Sequence, residues 1–72
     1  MMSGTFFPAL DVGIDQAAGG GVVIGGDGKW DARVKAVAVE HGMQMSQFTG
    51  EWWSPDGTRF AEISNALKAV AS

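Results

Sequence analysis

The sequence predicts an α+β domain, with a short antiparallel sheet of two to four strands, two helices packed on one of its faces and a glycine-rich N-terminal half. Three observations carry this expectation. Apolar residues recur at helical spacing in two segments, Trp30 to His41 and Phe60 to Val70. Two short β-forming runs, Val22-Val23-Ile24 and Trp52-Trp53, stand apart from those segments. Six glycines between Gly19 and Gly28 bracket the first run and supply flexible turns on either side. The competing architecture is a mainly helical domain with an irregular glycine-rich N-terminal half.

The chain of 72 residues is expected to form one domain, residues 1–72, with an extended arm and strand over 1–28 and a helix, hairpin and helix over 29–72. In the arm, Leu10, Val12 and Ile14 alternate with Asp11, Gly13 and Asp15, so part of Thr5–Ile14 can add an edge strand. Pro8 then belongs at a strand end or edge. Val22–Ile24 reads as a short buried strand.

The first helix is placed at Trp30 to His41, with Trp30, Val34, Val37 and His41 on one face. Asp27 or Asp31 can cap its start, Asp31 and Lys35 are spaced as an i, i+4 ion pair, and Gly42 suits the left-handed residue that ends it. Val39 lies off the main stripe, which suggests contact with two surfaces. Met43 to Gly50 reads as a connector carrying Met43, Met45 and Phe48, whose flexible thioethers are expected to fill irregular gaps, with an adaptable binding surface as the less favoured alternative.

Ser54-Pro55-Asp56-Gly57 has the residues of a type I turn, with proline at i+1. Joined to Trp52-Trp53 before it and Thr58-Arg59-Phe60 after it, the turn is expected to form a hairpin whose second strand is Thr58–Phe60. The rival reading, with Ser54 as N-cap and Pro55 as the first helical residue, is disfavoured because Gly57 would fall in the first turn. Beyond the turn, Phe60, Ile63, Leu67 and Val70 mark one face of a second helix, widened by Ala66 and Ala71. Glu62, Asn65 and Lys68 fall outside that stripe.

Composition narrows the function classes. Five basic and eight acidic residues give a net charge of -3, which opposes independent binding to a phosphate backbone. There are no cysteines, hence no disulfide and no thiolate metal site. No apolar run approaches the roughly 18 residues of a membrane span, and the N-terminus lacks a basic leader region. A cytoplasmic protein without membrane contact is expected.

Templates for chemistry fail one by one. Counting a dinucleotide fingerprint from Gly19 places Ile24 where the third glycine is needed, and a P-loop would need glycine at Val23. Asp27-Gly28-Lys29-Trp30-Asp31 puts lysine where a calcium loop needs an oxygen ligand. His41, the only histidine, has no nucleophile placed beside it by any motif and suits a structural role in the last helical turn. No enzyme activity, metal or other cofactor is expected.

Trp52 and Trp53 carry the binding signal. Adjacent strand residues face opposite sides of a sheet, so one indole is expected inside and the other free to anchor a partner. Asp56 and Glu51, near the same turn, complete the expected binding set as rim charges that steer a basic partner.

In size and acidity, and in its lack of catalytic motifs, the chain resembles small phage-encoded inhibitors such as the anti-CRISPR proteins. No motif carries that resemblance and no residue role transfers with it. It implies a non-enzymatic inhibitor that obstructs a nucleic-acid-handling protein complex by occupying its surface. Two other classes stay open: a small regulatory DNA-binding protein using Arg59 and Lys68 of the second helix, and a structural, homo-oligomer-forming subunit.

Overall fold

The computed structural model describes residues 4–17 and 19–72. The first residues of the N-terminal arm, 1–3, and Ala18 of the glycine-rich stretch lie outside them. The architecture is α+β, with five antiparallel strands and two helices. The strands are β1 (Thr5–Phe7), β2 (Val12–Gln16), β3 (Val22–Gly25), β4 (Gln44–Met45) and β5 (Trp52–Ser54), arranged in the order β1-β2-β3-β5-β4. The helices are α1 (Ala32–Glu40) and α2 (Phe60–Ala71), each entered through a short 3₁₀ turn, Asp27–Trp30 and Gly57–Arg59.

Alternation along the strands makes the sheet two-faced. Phe7, Val12, Ile14, Val22, Ile24 and Trp52 are buried on one face, in the same core cluster as Val34, Val37 and Ala38 of α1 and Ile63 and Leu67 of α2. Met43 is buried with them, and Met45, Phe60, Ala66, Val70 and Ala71 pack around the cluster. Both helices therefore cover one side of the sheet, and among the described residues the opposite side carries no helix.

The sheet has more strands than expected because the arm contributes two. Pro8 to Asp11 form a tight loop in which Leu10 N–H donates to the Phe7 carbonyl at 3.0 Å, and Asp11 closes it with φ 55. Aspartate tolerates that left-handed conformation better than most residues. Leu10 turns inward from the loop and is buried. β2 is thus an inner strand, and β1 forms the edge.

The predicted hairpin after Trp53 does not form. β5 is already paired on both sides, with β3 and with β4, which leaves no edge for Thr58–Phe60. Thr58 and Arg59 instead lie in the 3₁₀ turn, and Phe60 opens α2. The Asp56 carboxylate accepts from Thr58 N–H at 3.0 Å, and Asp56 N–H donates to Ser54 Oγ at 3.3 Å. The hairpin lies on the other side of the tryptophans, where the presumed connector supplies β4 and a loop back into β5.

Gly57 owes its place to space rather than to φ. A Cβ there would run into the carbonyl oxygen of Gly20, so the 3₁₀ turn and the β2–β3 loop pack backbone to backbone.

The first helix also differs from expectation at its start. Trp30 sits in the 3₁₀ turn, 61% exposed, and meets Trp52 edge-on at 6.0 Å. Asp31 caps α1 by accepting from Arg33 N–H at 2.8 Å. Its carboxylate binds the Arg33 guanidinium, replacing the expected pair with Lys35. Gly42 ends the helix at φ 73, and Val39 is exposed rather than covered by a second surface. Among the described residues, no helix is long and apolar enough to cross a membrane.

Candidate functional site

Strand register builds the helix-free face in rows. One row runs Asp15, Val23, Trp53, Gln44 across β2, β3, β5 and β4. Phe6 and Gly13 are paired in the neighbouring outward row, which continues through Gly25 of β3. Glu51 lies over Gly25, so closely that a Cβ on that glycine would collide with its carboxylate.

The two tryptophans divide as strand geometry requires. Trp52 is 6% exposed and faces the helices, with its Nε1–H donating to the Lys29 carbonyl at 2.8 Å. Trp53 is 41% exposed on the opposite face. Of the pair, only Trp53 is accessible enough to anchor a partner.

The β4–β5 loop adds an aromatic to this face. Ser46 holds the loop: its Oγ accepts from Phe48 N–H at 3.2 Å and Thr49 N–H at 3.3 Å, and its carbonyl accepts from Gly50 N–H at 2.9 Å. Gly50 supplies the left-handed turn residue at φ 72, and Ser46 N–H donates to the Glu51 carbonyl. Phe48 projects from this loop 99% exposed. Met43 and Met45 do face the core.

Phe48 and Trp53, with Val23, Ala17, Ser46 and Thr49, line an open cleft of about 470 Å³. A second hollow of about 300 Å³ shares Phe48, Trp53 and Ser46 and continues along Gln44, Met45 and Gln47. The tip of the β4–β5 hairpin thus stands between two adjoining depressions.

The remaining expected site residues separate. Glu51 belongs to the face, two residues from Trp53 along the chain. Asp56 is used within the fold, bonded to Thr58 and 3.6 Å from the Arg59 guanidinium. The Thr58 hydroxyl and amide, with Arg59 adding less, hold its carboxyl below the usual range. Asp15 was missed as a site residue. Its alternation with Val12 and Ile14 already pointed it away from the core, but that it lies half-buried on the open face depended on which face the helices covered.

His41 has structural partners at both ring nitrogens. Nδ1 lies 2.8 Å from the Val37 carbonyl, and Nε2 lies 3.3 Å from a Glu62 carboxylate oxygen, which ties the end of α1 to α2. Arg59 is taken up by Asp56 and Glu62, so the second helix offers fewer free cations to DNA than its sequence suggests. Among the described residues, no group of three or more His, Cys, Asp or Glu is placed to hold a metal ion.

Comparison with known proteins found no matching family model, no matching curated sequence and no matching solved structure.

Proposed function

We propose that this chain is a non-enzymatic protein-binding module that docks through the helix-free face of its sheet. The observation that carries this reading is the pair of exposed aromatics, Trp53 and Phe48, which line one apolar cleft together with Val23. Large aromatic side chains on a rigid support lose little conformational freedom on binding, and tryptophan is enriched where truncation costs most affinity. Trp53 is held by a doubly paired strand and Phe48 by a turn with three hydrogen bonds to Ser46, so the surface is largely preformed. The engagement of His41 with Val37 and Glu62 also favours a binding role over general-base chemistry. The acidic net charge suits a basic partner, and the inhibitor reading places that partner in a nucleic-acid-handling protein complex.

The test compares tagged wild-type protein with Phe48→Ala and Trp53→Ala in pull-downs from the native host. Circular dichroism checks that each variant keeps its fold. A partner retained by the wild type and lost from both folded variants supports the reading. Identical protein sets on all three would overturn it.

A further inference from the structure

Resting on the docking role of this face, the charge around Trp53 specifies the chemistry of its occupant. Glu51 is two residues from Trp53 on the same side of β5, roughly 7 Å along the strand. Asp15 ends the row that passes through Val23 to Trp53, two strands away at roughly 10 Å. Neither carboxylate is ion-paired among the described residues, whereas Asp31, Asp56 and Glu62 are paired with arginines of the helical layer. Asp15 Oδ1 is buried and has no hydrogen-bond partner among the described residues. A buried acceptor left open in this way is uncommon in folded proteins.

The cations are distributed oppositely. Arg33, Lys35 and Lys68 lie on the helices and Arg59 in the turn leading into α2. Lys29 starts from the turn before α1, and its Nζ lies beside Gly50, next in the chain to Glu51. The face consequently combines an exposed indole, an apolar cleft and two carboxylates without an ion-pair partner among the described residues, Glu51 over Gly25 and the half-buried Asp15 over Gly4. Arginine matches that combination better than lysine, because a planar guanidinium stacks on an indole while its edge donates to a carboxylate.

We propose that the occupant is an extended, arginine-bearing protein segment. One guanidinium stacks on Trp53 within reach of Glu51, an apolar side chain enters the cleft between Val23 and Phe48, and a second cation meets Asp15.

The probe is a capped peptide, Arg-Ser-Leu-Ser-Arg, titrated into the ¹⁵N-labelled protein and followed by NMR. Its controls replace both arginines by lysine or by glutamine, and a duplex DNA oligonucleotide is titrated separately. The arginine peptide is expected to shift the Trp53 indole N–H and the amides of Asp15, Val23 and Glu51. Binding should weaken about threefold with lysine, about tenfold with glutamine and about fivefold in the Asp15→Asn, Glu51→Gln double variant. Equal binding of the glutamine peptide at the same resonances would overturn the arginine assignment and leave the docking face standing. Concentration-dependent shifts of these resonances without peptide, or shifts produced by DNA in place of peptide, would assign the face to a second copy or to nucleic acid and overturn the proposal. If neither peptides, DNA nor self-association moves them, both the arginine assignment and the docking role of this face fall.

Discussion

The indole of Trp52 is bonded to the Lys29 carbonyl, 23 residues earlier in the chain, at 2.8 Å. This contact joins the inner strand β5 to the turn that launches α1, while the ring itself fills the core. Trp52→Ala is expected to cost about 3–5 kcal/mol, and Trp52→Phe about 1–3 kcal/mol through the lost donor and lost volume. Trp53→Ala should cost about 1 kcal/mol, since that ring is partly solvated already. Urea titrations of the three variants check the order. A Trp53 variant as unstable as the Trp52→Ala protein would contradict the assignment of faces.

Gly57→Ala separates spatial from conformational demand. Alanine is the better helix former, so a purely local view expects stabilisation. The new Cβ would collide with the Gly20 carbonyl, a rigid backbone atom, and about 1–3 kcal/mol of destabilisation is expected. Gly42→Ala meets open space but must adopt φ 73, so its cost should be nearer 1 kcal/mol. Thermal or urea unfolding of both variants distinguishes the two causes.

These glycines show which parts of the structure were legible in the sequence. Gly42 follows a periodic helix and its role is local, so its reading as a helix terminator matches the structure. Gly57 depends on Gly20, and nothing near it in the chain reveals that approach. The same division explains the misplaced hairpin. Ser54-Pro55-Asp56-Gly57 carries strong turn chemistry, but whether a strand follows depends on the free edges of β5. Ser46-Gln47-Phe48-Thr49-Gly50 also contains turn formers, overshadowed by the neighbouring methionines and their reading as gap fillers. The Trp52–Trp53 split was readable because alternation in a strand is geometric. The part played by Phe48 was not, because hydrophobicity alone argues for burial.

The periodic face of α2 gives a third expected outcome. Leu67 is fully buried and Asn65 exposed, so Leu67→Ala should cost about 2–5 kcal/mol and Asn65→Ala less than about 0.5 kcal/mol. Equal midpoints in urea would refute the orientation of the helix.

Asp31 predicts a response to acid. The Arg33 side chain, and then its backbone N–H, lower the Asp31 pKa from 3.8 to about 2. A depressed folded-state value means that the carboxylate contributes stability above the unfolded pKa. That contribution is lost as pH falls through the folded value, hence between about 4 and about 2. Carboxyl ¹³C titration should find the Asp31 midpoint near the lower limit, and Arg33→Gln should move it back toward the ordinary range. An unchanged midpoint in that variant would show that Arg33 is not the cause.

Ser46 governs how Phe48 is presented. Phe48 is almost wholly exposed, so its position comes from backbone held by the Ser46 hydroxyl and carbonyl rather than from packing of its ring. Ser46→Ala removes the acceptor for the Phe48 and Thr49 amides, while the Gly50 to Ser46 backbone bond and the β4–β5 pairing remain available. Those two amides are exposed and water can replace the hydroxyl, so the expected loss of global stability is only about 0.5–1.5 kcal/mol. The loop should respond more than the fold. Amide exchange at Phe48 and Thr49 should accelerate and their ¹⁵N order parameters should fall, with Val23 and Trp53 unchanged. A partner that relies on the preformed loop should then bind Ser46→Ala more weakly, although every side chain lining the cleft except Ser46 is retained. If the loop amides of the variant stay as ordered as those of the wild type, the Ser46 hydroxyl does not set the position of Phe48.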